Sequence, residues 1–395
     1  MVLGAEADFQ GTGQRDTFTC VLSCMPQTTP GNVFLQEPIS QRLSWFGTVR
    51  GRAGWTNGPA LFYATGGLAY GAVTTNVSFT EQILGFAGTT TAASTNFTQD
   101  RAGWTVGAGI ETQLTGDWSG KIEYLYVNLG TVSGTLPLPG PFFTGVTGVS
   151  TTIQDHIVRG GVNYKFGDPI YVADIAPITY KAPPAAAYNW SGGYVGGNIG
   201  LSVGRDPTTF NSTFFGVNEQ VFLSPLGVIG GGQVGYNWQA GRNVVLGAEA
   251  DFQGSSQRDS ANCLGGCTPG FAAEGETIVQ KLNWFGTVRA RAGWTNGPTL
   301  YYATGGFAYG NATTVFPSMN QPLSAGGTQT GWTAGGGIET RLLGNWTGKI
   351  EYLYVDLGSQ SASTSAFAGM PEAIPLSISS RIQDHVVRVG ANYHW

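Results

Sequence analysis

Charged side chains in this chain come in pairs spaced two apart. Glu249 and Asp251, Arg289 and Arg291, Glu339 and Arg341, and Lys349 and Glu351 all show it. The spacing recurs earlier as Glu6 with Asp8, Arg50 with Arg52, and Lys121 with Glu123. Residues two apart share a face on a β-strand but not on a helix. The faces between them are apolar: Leu246, Ala248, Ala250 and Phe252, or Val288, Ala290, Ala292 and Trp294. If that apolar face meets hydrocarbon, an arginine on it would cost about 2–4 kcal/mol at mid-depth. The charges are therefore expected to point inward, where opposite signs pair. The expected network is Glu6, Asp8, Arg50, Arg52, Glu111, Lys121, Glu123 and Arg159, and then Glu249, Asp251, Arg289, Arg291, Glu339, Lys349, Glu351 and Arg388. Its chemistry is mutual neutralisation rather than catalysis.

Other strings carry weaker signals. Gly230-Gly231-Gly232-Gln233-Val234-Gly235 fits a dinucleotide fingerprint, but no helix follows to present amides to a pyrophosphate. Gly200-Leu201-Ser202-Val203-Gly204 fits a nucleophile elbow without the strand–turn–helix that such a turn needs. Cys20 with Cys24, and Cys263 with Cys267, sit in long loops with no histidine beside them. That is a poor zinc set, and a local disulfide in each loop is the expectation for an oxidising compartment. Asp155-His156 and Asp384-His385 stand where a strand leaves a loop, and one histidine per site is thin support for a haem or other ligand. No cofactor, metal or catalytic set is expected.

The elements that hold the charges are strands. The last stretch, Asp384 to Trp395, alternates His385, Val387, Val389, Ala391, Tyr393 and Trp395 against Asp384, Val386, Arg388, Gly390, Asn392 and His394. One side is oily and the other polar, over about the 9–11 residues that a tilted strand needs to cross a bilayer. Tyr393 and Trp395 end it where an interfacial girdle and membrane-insertion signal would sit. Composition agrees. Charged residues are 11% of 395, against roughly 25% in an average soluble protein, yet mean hydropathy is −0.02. No apolar run reaches the ~18–20 residues of a membrane helix, so a spanning chain has to close into a barrel. The net charge of −5 argues against a broad basic surface for nucleic acid.

The chain is a tandem. Val2 to Gly11 recurs as Val245 to Gly254, Trp45 to Arg50 as Trp284 to Arg289, and Lys121 to Val127 as Lys349 to Val355. Residues 1–166 form a shortened repeat and 190–395 a complete one, joined by a Pro/Ala-rich linker over 167–189. The second repeat reads as eight strands, near Gly193–Val203, Val228–Trp238, Val244–Gln253, Leu282–Trp294, Thr299–Asn311, Gly331–Arg341, Trp346–Leu357 and Arg381–Trp395. Tight turns alternate with long Ser/Thr/Gly-rich loops, as in outer-membrane barrels. The first repeat begins in mid-strand at Val2 and lacks counterparts of the first two strands. The expectation is that a signal peptide and two strands lie upstream.

Several strings together carry a resemblance: Trp190 to Asn198, Val228 to Tyr236, Leu246-Gly247-Ala248-Glu249-Ala250-Asp251, Tyr302-Ala303-Thr304-Gly305-Gly306, Lys349 to Tyr354, and the closing strand. In that order they resemble the porin-like family of small outer-membrane β-barrels of alpha-proteobacteria, the outer immunogenic or surface-antigen proteins. The resemblance implies an all-β, antiparallel transmembrane β-barrel fold in two tandem units, eight-stranded in the second and about six-stranded in the first. It also implies residence in the bacterial outer membrane among lipid and lipopolysaccharide, insertion by the barrel-assembly machinery, and long loops free to meet a host or surface ligand. An eight-stranded barrel is just wide enough for side chains to fill it, so a plugged lumen is expected. A single fourteen-stranded channel is the alternative. The partner of the strand at Val2 decides between them: Asp155–Phe166 for a separate barrel, Arg381–Trp395 for one wide pore.

Overall fold

The structure is a computed structural model. It describes residues 1–21, 33–57, 60–83, 90–139, 144–166, 188–212, 217–263, 276–316, 323–366 and 374–395. Among these there is no helix. The first unit comprises β1 (Val2–Gly11), β2 (Arg15–Val21), β3 (Val33–Asn57), β4 (Ala60–Ile83), β5 (Thr90–Thr115), β6 (Trp118–Pro139) and β7 (Thr144–Tyr164). The second comprises β8 (Gly192–Gly204), β9 (Asp206–Ser212), β10 (Val217–Leu223), β11 (Leu226–Ala240), β12 (Val244–Cys263), β13 (Glu276–Asn296), β14 (Thr299–Phe316), β15 (Leu323–Leu343), β16 (Trp346–Ala366) and β17 (Ile374–His394).

The second unit closes. Its ladder runs antiparallel from β8 through β11 to β17, and β17 pairs back onto β8, with Val389 opposite Ile199 and Tyr393 opposite Val195. Eight strands thus satisfy one another's backbone groups with no edge in the wall. Tight turns close one end. Asn296-Gly297 supplies one of them, with Gly297 at φ 58°, a conformation that suits glycine.

The first unit does not close. Its path is β1-β3-β4-β5-β6-β7 with β2 beside β3, and among the described residues β1 meets neither β7 nor β17. Both expected partners of the Val2 strand are therefore wrong, and so is the fourteen-stranded channel, because β17 spends its free edge on β8. Unit one is an open, curled six-strand wall plus a short flanking strand.

Two further expectations need correction. The segment 204–227, read as loop, holds the β9–β10 hairpin, which continues the sheet beyond β17. The strands also outrun their expected ends, for β16 and β17 stay paired as far as Ala366 and Ile374. In β17 Ile374, Leu376, Ile378 and Ile382 still recur at even spacing, while the paired stretch of β16 from Gly358 to Ala366 holds no Leu, Ile or Val. Continued pairing satisfies their backbone groups as the strands leave the wall. The linker 167–187, Cys24 and Cys267 lie outside the described residues, and only the strand backbone is described at Cys20 and Cys263.

Outside the second barrel, aromatics form two belts. Near the tight turns stand Trp238, Trp294, Trp346, Tyr393 and Trp395, all exposed. Toward the long hairpins Phe252 stacks on Trp284, Trp332 packs on Tyr354, and Tyr354 meets His385. Between the belts the wall is exposed Val195, Ile199, Val234, Val288 and Val389. This is the outer dress of a lipid-facing barrel. The units touch near the tight turns, where Ala60 and Ile110 pack with Ile338 and Ile350, and the Tyr301 hydroxyl donates to Thr112 Oγ1 at 3.0 Å.

Candidate functional site: the charged lumen

In unit two the charges that alternate with lipid-facing residues converge on the barrel axis. Arg289 sits at the centre. Its guanidinium reaches Glu249 Oε1 at 2.5 Å, Asp251 Oδ2 at 3.0 Å and Glu351 Oε1 at 3.0 Å. Arg388 from β17 reaches Asp251 at 2.8 Å and Glu351 at 2.5 Å. Lys349 donates to both oxygens of Glu249, and Arg291 pairs with Glu339 at 2.7 Å. Four cations face four carboxylates, all buried. Burying one ion unpaired costs several kcal/mol, and a balanced, hydrogen-bonded cluster avoids that.

Unit one repeats the arrangement with Arg50, Arg52, Lys121 and Arg159 against Glu6, Asp8, Glu111 and Glu123. Arg50 meets Glu123 at 2.9 Å and Asp8 at 3.0 Å; Arg159 meets Asp8 at 2.8 Å and Glu123 at 2.6 Å. Arg52 meets Glu111 at 2.8 Å, and Lys121 pairs with Glu6. Of the sixteen expected charges, eight pair inside the closed lumen of unit two and eight pair with one another on the inner face of the open wall of unit one. Arg341 does not follow its strand-mate Glu339. It is exposed at the turn end, the last residue of β15 in regular register before the shift at Arg341/Leu343, with its guanidinium over the Tyr188 ring.

Pattern reading missed the neutral partners. The Tyr194 hydroxyl donates to Glu249 Oε2 at 2.7 Å, and Tyr302 donates to Glu351 at 2.9 Å. Arg291 lies over the Tyr302 ring, 4.3 Å from its centroid. Glycines make room for these rings: a Cβ on Gly235 would stand 2.3 Å from the Tyr194 hydroxyl, and one on Gly337 would stand 2.7 Å from that of Tyr302. A glycine directly across from a tyrosine was the available signal. Asn392 joins Gln233 at 2.5 Å and Glu339 at 2.8 Å. A second layer was also missed. Toward the long hairpins the lumen holds Ile229, Leu282, Phe285, Leu353, Leu357, Ile382 and Val386, packed and buried. The period-two run Leu353, Val355, Leu357 continues the inward face of Glu351 and was readable as such.

At the level of the outer belt, Asp384 accepts from Gln257 at 2.5 Å and from Ser202 at 3.3 Å. Asp206 is raised well above the ordinary range, first by burial and then by the charge of Asp384. Ser202 is therefore a buried donor to an aspartate on a strand, with no helix behind it. Gly230 to Gly235 lie inside β11, where their backbone is committed to the ladder. His385 points outward, its Nδ1 sharing a hydrogen bond with the Tyr352 hydroxyl at 2.8 Å, and His156 does the same with Tyr124 at 2.7 Å. Both histidines belong to the outer belt.

A family model described as the outer membrane protein beta-barrel domain matches residues 1–166 and again 178–394. The 31 kDa outer-membrane immunogenic protein of Brucella melitensis biotype 1 is 38% identical over 250 residues, covering 60% of this chain and 98% of the relative. The 22 kDa outer membrane protein of Rhizobium leguminosarum bv. viciae is 33% identical, covering 46% of this chain and 70% of the relative. Among solved structures, the outer membrane protein OprG from Pseudomonas aeruginosa aligns with 52% of this chain and 97% of its own at 12% identity and a TM-score of 0.35.

Proposed function

Because this chain belongs to the outer membrane protein beta-barrel domain family and resides in the outer membrane, we propose that it serves as a non-conducting, non-enzymatic wall protein. Its work is to span the outer membrane and to hold extended hairpins outside the cell. The observation that carries this reading is the filled lumen of unit two. A neutral lattice of four cations and four carboxylates crosses the barrel, and the apolar layer from Ile229 to Val386 lies above it. A water-filled path would need both layers to part. The hairpins that leave the outer belt are the surface on offer to lipopolysaccharide or to a host ligand. The convergent polar groups are spent on one another rather than aimed at a substrate.

Planar-bilayer recording tests it. The refolded chain is expected to insert without discrete conductance steps of porin size. Regular steps with a selectivity that changes in Arg289→Ala and Arg291→Ala would overturn the plugged lumen.

A further inference from the structure

Arg258 of β12 and Lys281 of β13 are direct register partners, and both point away from the lumen. Gln257 and Leu282, the pair beneath them, are buried inside, while Arg258 and Lys281 are exposed. Like charges set opposite each other on neighbouring strands are destabilising. Among the described residues neither has an ion-pair partner. Asp259, the next residue along β12, accepts instead from the amides of Ser224 and Ser260. Arg381 shows the contrast. It too is exposed above the belt, on β17, yet Asp356 meets it at 2.6 Å.

Unit one carries the same row. Arg15 of β2 faces Arg42 of β3, both exposed. On the next strand a threonine completes it each time, Thr313 beside Lys281 and Thr74 beside Arg42. Beyond the row the repeats diverge: Thr17-Phe18-Thr19 stands against Ser260-Ala261-Asn262. Within it one arginine has become a lysine, so the charge is kept where the residue is not. Two mutually repelling cations, present in both repeats, are suited to an anion from outside the chain.

Height selects that anion. Lys281 is three residues past Trp284, whose ring stacks on Phe252 in the outer belt. At about 3.3 Å per residue and a tilt of about 40°, the pair stands roughly 8 Å above the belt. Aromatic belts mark the edge of the hydrocarbon, and the headgroup layer adds about 5–8 Å on each side. A lipid phosphate lies at that level, whereas a free ion has no reason to be met there. We propose that Arg258, Lys281 and Thr313 form a binding site for the phosphate of an outer-leaflet glycolipid, the acidic end of lipopolysaccharide, and that Arg15, Arg42 and Thr74 form its counterpart. The proposal rests on the reading that the long hairpins leave the outer face of the membrane. Arg258 offers a planar fork to two phosphate oxygens, Lys281 a compact charge and Thr313 a hydroxyl. The acyl chains lie below, along exposed Phe252, Val288 and Phe307.

The test uses the full chain in phosphatidylcholine vesicles doped with diphosphoryl lipid A, or with the same lipid stripped of its phosphates. Native mass spectrometry counts the lipid retained after gentle extraction. Two molecules of the phosphorylated form are expected on the unaltered chain and one on Arg258→Gln/Lys281→Gln. None above the dephosphorylated background should remain when Arg15→Gln/Arg42→Gln is added. Binding at an altered site should weaken about thirtyfold, roughly fivefold per cation. Equal retention of both lipids, or a loss of the same size in Arg381→Gln, overturns the proposal in favour of diffuse charge. Displacement by inorganic phosphate assigns the row to the free ion and overturns it too. Without lipid A the Arg258→Gln/Lys281→Gln chain should unfold at the same urea concentration or higher, since a repulsion is gone. A lower midpoint makes the pair structural and overturns the site. Conductance recorded alongside keeps the two readings apart. Silent membranes with no preference for phosphate sink the site and spare the plugged lumen; a phosphate preference with porin-sized steps supports the site and refutes the plug.

Discussion

Replacing Arg289 by methionine isolates what the lumen lattice contributes. The guanidinium contacts Glu249, Asp251 and Glu351 at 2.5, 3.0 and 3.0 Å and also bonds Thr287 at 2.9 Å. Without it, four buried carboxylates face three cations. Breaking a buried pair from one side costs about 3–5 kcal/mol, since the abandoned charge stays buried. Removing Glu351 as well restores three against three and leaves two apolar side chains in the gap, so Arg289→Met/Glu351→Met should regain much of that loss. Urea unfolding from lipid vesicles, followed by tryptophan emission, reads both. For slopes of about 1–3 kcal/mol per molar, the single variant should move the midpoint down by about 2 M. Arg50→Met in unit one should cost less, because Glu6 and Asp8 keep some contact with solvent. If the double variant is no more stable than the single one, charge balance is not what the lattice provides, and the reasoning fails.

Other substitutions probe the remaining layers. Tyr194→Phe should destabilise unit two by about 1.5–3 kcal/mol by removing a donor to a buried carboxylate, measured by the same titration. Val288→Arg, on the exposed outer face between the belts, should cost about 2–4 kcal/mol in vesicles and far less in unfolded chains; an unchanged midpoint would place that face away from hydrocarbon. The mouth should depend on pH. An unfolded aspartate titrates near 3.9, while burial and the charge of Asp384 hold Asp206, at the foot of the β9–β10 hairpin, well above that, so the folded hairpin keeps a proton that the unfolded chain loses. Its stability is complete below about pH 4 and declines as pH rises through the raised value, with Asp384, Asp259, Asp356 and Arg381 as the charged neighbours. Amide exchange along the β9–β17 ladder, corrected for intrinsic rates, should show less protection at alkaline than at acid pH, and Asp206→Asn should shrink the difference.

Period-two patterning made the wall legible, because lipid and lumen impose opposite demands on neighbouring residues. The inward direction of Arg289, Arg388 and Glu351 follows from that alone. Features set by contact between distant strands were not legible. Which edge β1 meets depends on the curvature of the whole sheet, and no local string encodes it. The phenols of Tyr194 and Tyr302 read as ordinary strand aromatics until the ladder sets them across from Gly235 and Gly337. The extra β9–β10 hairpin hid in a stretch whose Ser, Thr and Asn content reads as loop. Its pairing to Leu376–Ser380 is again a long-range fact.

The continuing ladders also fix a height. From Tyr354 in the outer belt, β16 runs paired to Ala366. At about 3.3 Å per residue and a tilt of about 40°, that lifts its end roughly 30 Å above the hydrocarbon. Such a ladder holds Ala366 and Ile374 well clear of the aromatic belt, and any large molecule that approaches from that side meets them before it meets the barrel wall.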